Sequence, residues 1–166
     1  MGRGVVKNIG REAGKFIVAS MDIPWRITRD LLAKSPESVV MVTSMEEAWL
    51  EEQLKTLPAC DTFIGIGGGQ AIDAAKYFAW RRGLRLISIP TILSVDAFVT
   101  PAAGIRRNHE VIYVGETSPD PLVIDFDVVR TAPPSLNIAG IGDLLSMHTA
   151  SFCVHRQQIT NPCNIE

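Results

Sequence analysis

Three consecutive glycines, Gly67, Gly68 and Gly69, stand between an apolar run and a helical pattern. Thr62 to Ile66 reads as a buried strand. Ile72, Ala75, Phe78 and Ala79 recur at helical spacing, so the segment after the glycines reads as a helix. Strand, glycine turn and helix start together offer free backbone N–H groups and the positive end of a helix dipole to an anion. Glycine suits the turn because a side chain would hold the backbone off the anion and disfavour positive φ. The chemistry indicated is recognition of a nucleotide or dinucleotide phosphate. A plain tight turn with no ligand would use the same residues.

The elements around the turn repeat one pattern. Lys15–Ser20, Ser38–Thr43, Thr62–Ile66 and Leu84–Ile89 read as strands, each a nearly continuous apolar run of the kind buried on both faces of a parallel sheet. Between them lie helical segments. One starts near Pro24 and carries Ile27, Leu31 and Leu32. A second is capped by Thr43 or Ser44, carries Trp49, Leu50, Leu54 and Leu57, and ends at Pro58. The third follows the glycines and ends at Arg81-Arg82-Gly83, cations then glycine. Alternating strands and helices imply a Rossmann-like parallel sheet with flanking helices, whose ligands bind beyond the carboxyl ends of the strands. Past Pro90 the pattern changes. Ala103–Ile105 and Glu110–Val114 read as a hairpin turned at Arg106 to His109, Leu122–Ile124 as a short strand, and Asp127–Arg130 as one helical turn. Pro133-Pro134 marks a domain boundary, and a helix beyond it is expected to break at Gly140 and Gly142 and resume at Asp143.

Composition narrows the class. The 166 residues suffice for one domain with a core. A net charge of −2 gives no reason to expect nucleic acid or an anionic membrane as partner. No apolar run approaches the ~18 residues of a membrane span. Cys60, Cys153 and Cys163 lack metal-like spacing and read as reduced thiols of a cytoplasmic protein.

Three motifs in order, GIGGGQAIDAAK (Gly65–Lys76), SIPTILSVDAFVTP (Ser88–Pro101) and AGIGDLLS (Ala139–Ser146), resemble one superfamily. It comprises metal-dependent glycerol dehydrogenases, glycerol-1-phosphate dehydrogenases, iron-type alcohol dehydrogenases and 3-dehydroquinate synthases. The resemblance implies a dinucleotide-binding α/β domain over residues 1–132 and the opening of a helical metal-binding domain over residues 133–166. It implies NAD(P) as cofactor, a divalent metal (Zn or Fe) and a polyol or polyol phosphate substrate in the cleft. Carried over, Gly67, Gly68 and Gly69 would hold the pyrophosphate, and Asp73 would brace the loop through backbone hydrogen bonds. Thr91 and Ser94 would line the nucleotide site, and Thr100 would stand on the nicotinamide side. Asp96 would lie near substrate and metal, and Asp143 would be the first metal ligand. Asp22, just past the first strand, is the candidate for reading the adenine ribose. Without the family, Asp73 braces a turn, Thr91 and Ser94 satisfy local backbone, and Asp143 caps a helix.

The same resemblance implies two histidine ligands. His148 lies five residues past Asp143, about 140° around a continuous helix, and His155 about 120° around and about 18 Å along it, so neither closes on one ion with Asp143. His109 falls in the hairpin turn. The chain therefore reads as a truncated member, and Leu144, Leu145 and Phe152, left bare, are expected to drive homo-oligomerisation through residues 135–156. Met147 stands where iron-type alcohol dehydrogenases usually place a histidine. The 3-dehydroquinate synthase-like lyases carry a lysine after the strand end that is missing here. The motifs look most like glycerol-1-phosphate dehydrogenase, with a non-catalytic nucleotide-binding remnant as the other reading.

Overall fold

The computed structural model describes the backbone of residues 1–160 and the side chains of residues 1–151. Phe152, His155 and Cys163 lie outside that range of side chains, as does part of the 135–156 surface.

Four parallel strands form the centre: β1 (Phe16–Ser20), β2 (Ser38–Met41), β3 (Thr62–Gly67) and β4 (Arg85–Pro90), in the order β2-β1-β3-β4. β1 and β3 are buried along their whole length, which explains their unbroken apolar sequence. Alternate residues serve opposite faces. Ile17, Phe63 and Leu86 join one core layer, with Tyr77 and Phe78 of α4 (Gly69–Arg82) and Leu50 of α3 (Glu47–Thr56). Phe16, Val18, Ile64, Ile66 and Ile87 join the other, with Val6 and Ile9 of α1 (Val6–Glu12) and Val128 of α5 (Phe126–Val129). The register sets the carboxyl ends level: Ser20 pairs with Ile66, and Gly67 with Pro90.

Helix α2 (Asp22–Thr28) begins two residues before Pro24 and continues into a 3-10 turn, Arg29–Leu31. Ser44 accepts a hydrogen bond from the Glu46 N–H, while the residue that caps α3 is Glu46 itself. β5 (Ala103–Arg107) and β6 (Glu110–Val114) make the hairpin, and its turn is only Asn108-His109, both at positive φ as a two-residue primed turn requires.

Three features depart from the sequence expectation. α1 stands in an N-terminal stretch where no element is expected. A Cβ on its Gly10 would stand 2.7 Å from the Lys34 backbone nitrogen, so the glycine serves close packing rather than a loop. Leu122–Ile124 is not a full strand. Leu122 makes one parallel bridge to Ser88, and Val123 donates to the Ser88 carbonyl, so the segment covers the free edge of β4. α6 (Pro134–Thr160) runs unbroken through Gly140 and Gly142. Glycine in a helix costs about 1 kcal/mol relative to alanine, which weakens a long helix without breaking it.

Asp125 ties the N-terminal segment to the end of the sheet. It is buried, and its carboxylate accepts the backbone N–H groups of Gly4, Val6 and Asp127 at 3.1, 3.1 and 3.0 Å. Burial opposes its charge, but those N–H groups outweigh the burial and hold the carboxyl below its ordinary range. Asp125→Ala, which orphans the three donors, is expected to destabilise the fold by about 3 kcal/mol in chemical denaturation at pH 7. A carboxylate with a lowered folded pKa stabilises above its unfolded value, about 4, and loses that contribution as pH falls through the folded value. The gap between wild type and variant should therefore close below about pH 4.

Candidate functional site

The glycine turn is built from close contacts. Gly67 has φ +149, and a Cβ on it would stand 2.8 Å from the Ala71 Cβ. A Cβ on Gly68 would meet the Ile92 side chain at 2.8 Å, and one on Gly69 would meet Val95 at 3.2 Å. The Gly67 carbonyl accepts the Thr91 N–H at 3.0 Å, tying the ends of β3 and β4 together. Gly68 caps α4 with no side-chain hydrogen bond, and the first bond closed from its carbonyl is to Ile72 at 3.2 Å. The N–H groups ahead of Ile72 have no partner within the helix. A 14-residue helix therefore presents bare donors and its dipole to the carboxyl edge of the sheet.

Two cavities meet at this point. The first, about 370 Å³, is mainly apolar and is lined by Gly68, Gly69 and Gln70 with Thr91, Met21 and Pro24 on its walls. Thr131, Ala132 and Pro133 close it from the segment before α6. The second, about 330 Å³, is more polar and is lined by Gly69 and Gln70 with Asp73, Asp96, Thr100 and Asp143. Gly69 and Gln70 belong to both. The turn thus joins a mainly apolar space to a more polar one, with the N–H groups of a helix start between them.

The second cavity is braced by a buried cation. Lys76 is 1% exposed, and its ammonium donates to Asp73 Oδ1 at 3.0 Å, to Thr100 Oγ1 at 3.1 Å and to the Ala102 carbonyl at 3.0 Å. Asp73 also accepts the Gly104 backbone N–H. Burial pushes the Asp73 carboxyl up, against the pull of Lys76. Asp73 thus braces the start of the hairpin, not the glycine loop itself. Helix α6 is seated by similar means. Asn137 accepts the Leu93 N–H at 3.0 Å and donates to the Val129 carbonyl at 3.1 Å, while a Cβ on Gly140 would fall 1.9 Å from the Leu93 carbonyl oxygen. That contact brings Asp143 to the same cavities as Asp96, and a third hollow of about 360 Å³ between loop and helix is lined by both.

The expected residues fall into three groups. Gly67–Gly69, Thr91, Asp73, Asp96, Thr100 and Asp143 surround the two joined cavities or form the turn between them. Ser94 lies where the loop meets Gly140 rather than on a cavity wall, its Cα 3.7 Å from the position a Gly140 Cβ would take. The Asp22 carboxylate is 73% exposed and stands 3.7 Å from Arg26. Among the described residues no three His, Cys, Asp or Glu side chains group to hold a metal ion, and His148 is exposed. Asp96 and Asp143 alone fall short of the three protein ligands a catalytic Zn²⁺ takes.

Sequence reasoning passed over Lys76, Asn137, Met21 and the Thr131–Pro133 wall. For Lys76 a signal existed. It lies on the same stripe as Ile72, Ala75 and Ala79, at positions i, i+3, i+4 and i+7, and a lysine inside an apolar stripe demands a buried partner.

Known proteins resemble this chain in sequence and in fold. The profile of the iron-containing alcohol dehydrogenase family matches residues 18–133. A glycerol-1-phosphate dehydrogenase [NAD(P)+] of Sulfurisphaera tokodaii is 33% identical over 144 residues, covering 83% of this chain and 41% of that protein. One of Hyperthermus butylicus is 39% identical over 148 residues, covering 85% and 42%. The crystal structure of glycerol dehydrogenase from Schizosaccharomyces pombe superposes with a TM-score of 0.75 at 25% identity, over 87% of this chain and 41% of that one. The chain thus spans about two-fifths of the length of these relatives.

Proposed function

We propose that this chain, which belongs to the iron-containing alcohol dehydrogenase family, binds NAD(P)(H) across Gly67–Gly69 and forms the cofactor-holding part of a polyol phosphate oxidoreductase of the glycerol-1-phosphate dehydrogenase type. The observation that carries the reading is the pair of cavities sharing Gly69 and Gln70 at the uncapped start of α4. In it, residues 1–132 are the dinucleotide domain, and α6, from Pro134, opens the helical one.

The roles follow from the chemistry of each wall. The N–H groups at Gly69 and Gln70 take the pyrophosphate, and the apolar cavity beside Met21 and Pro24 takes the adenosine. Thr91 fixes the turn through its backbone. The nicotinamide end lies in the polar cavity, where Lys76 holds Asp73 and Thr100 in place. Asp96 and Asp143 flank the space left for a substrate carbonyl such as that of dihydroxyacetone phosphate. The bound cofactor supplies the hydride, and the protein supplies orientation. Asp143 offers one ligand toward a family metal. The described residues do not complete that site, which favours a second reading of this chain, a nucleotide-binding module without turnover.

Fluorescence titration with NADH and NADPH tests the binding claim. Saturable binding below millimolar concentration is expected, and no binding at millimolar cofactor contradicts it. In the same samples, added dihydroxyacetone phosphate and Zn²⁺ should give no cofactor oxidation, and measurable turnover would remove the module reading. Self-association is proposed through α6, where Ile138, Ile141, Leu144, Leu145 and Met147 are 50–67% exposed. Small-angle scattering should show a dimer or larger, and a monodisperse monomer would contradict this.

A further inference from the structure

We infer that Arg26 and Arg29 recognise the 2′-phosphate of the cofactor and make this site selective for NADP(H) over NAD(H). The inference rests on the dinucleotide reading above and specifies which dinucleotide.

The strand order locates the ribose. β1 lies next to β3, with Ser20 opposite Ile66, so the residues after β1 flank the glycine turn. A site that selects NAD places a carboxylate at this strand end, on the ribose 2′-hydroxyl. Here Met21 lines the cavity, followed by Ile23, Pro24 and Ile27, and among the described residues no acid lies on its wall. Asp22 is turned outward, its carboxylate 73% exposed.

The same wall borders a second space. Ile23 and Ile27 also line an adjoining hollow of about 430 Å³, and its other lining residues are Arg26 and Arg29. These arginines are three residues apart, so they are neighbours on the helical face that α2 carries into its 3-10 turn. A phosphate on the ribose, reaching past the Ile23–Ile27 ridge, would meet two guanidiniums. Each forms a planar fork that matches phosphate oxygens. Their present partners are weak. Asp22 and Asp30 stand 3.7 and 3.5 Å away and are 73% and 83% exposed, so a phosphate displaces them at little cost. An adenosine with a free 2′-hydroxyl brings nothing to either arginine.

The test is fluorescence titration of NADPH and NADH into wild type, Arg26→Gln/Arg29→Gln and Asp22→Asn. Both arginines are surface side chains, and circular dichroism checks that each variant is folded. Wild type should bind NADPH about tenfold more tightly than NADH, and the double variant should lose about tenfold in the NADPH-to-NADH affinity ratio. Asp22→Asn should tighten NADPH binding, because it removes the carboxylate that competes for Arg26. Adenosine 2′,5′-bisphosphate should displace NADPH from wild type better than 5′-AMP, and lose that advantage in the double variant. An unchanged ratio in the double variant overturns the inference, as does a loss of NADH affinity in Asp22→Asn, which would put that acid on the ribose. Wild type that binds neither cofactor overturns the dinucleotide reading itself, an outcome distinct from binding both without preference.

Discussion

Lys76→Met should lower stability at pH 7 by roughly 3–5 kcal/mol, the range for removing one partner of a buried ion pair. For a chain of this size the thermal midpoint should fall by roughly 10 °C. Methionine keeps most of the lysine stem, so the loss comes from the ammonium. Asp73, only 17% exposed, would keep its charge without a cation, and Thr100 and the Ala102 carbonyl would lose their donor. The deficit should depend on pH. Burial already raises the Asp73 carboxyl, and removing Lys76 raises it further. An acid with a raised folded pKa binds its proton more tightly in the native state. The penalty therefore grows as pH rises above the unfolded value, about 4, and shrinks below it. Lys76→Met/Asp73→Leu, which removes both charges, should recover most of the loss. A single variant within about 1 kcal/mol of wild type would show that the network does not brace this cavity.

Gly140→Ala should be worse than its chemistry suggests, and Gly142→Ala should be harmless. A methyl on Gly140 would fall 1.9 Å from the Leu93 carbonyl oxygen, a backbone atom that cannot rotate away. Either α6 lifts off the loop or the loop moves with Ser94, at about 3 kcal/mol. Among the described residues, and apart from the helix's own backbone, nothing lies within 4 Å of the same methyl on Gly142. There alanine should stabilise the helix by about 0.5–1 kcal/mol. Amide exchange locates the damage: in the Gly140 variant, protection should drop at residues 91–95 and 134–143 and hold in β1 and β3. Equal behaviour of the two variants would contradict the close seating of α6.

These two sites also mark what could be read from the residues alone. The four strands were legible because a sheet covered on both faces demands long apolar runs, and Phe16–Ser20 and Thr62–Ile66 supply them. The glycine turn was legible for a related reason: three glycines there have few uses. Gly140 and Gly142 misled because a glycine in a helix signals either a break or a close approach, and only the neighbour decides. Leu93, the neighbour, is 47 residues away in sequence. Asp96 and Asp143 were named through resemblance, and their shared cavities depend on Asn137 and Gly140, which no local pattern announces. The glycerol-1-phosphate branch suggested by SIPTILSVDAFVTP and AGIGDLLS is the one to which the Sulfurisphaera and Hyperthermus relatives belong.

In the proposed reading the bare N–H groups at the start of α4 hold the cofactor's pyrophosphate. Amide chemical shifts of nitrogen-15-labelled protein, followed during titration with NADPH, test it most directly. The largest changes should fall on Gly68, Gly69, Gln70 and Ala71, with Met21 and Thr91 moving on the same binding curve. Saturable binding that leaves those glycine amides unmoved, or no binding at millimolar cofactor, would rule out this placement of the pyrophosphate.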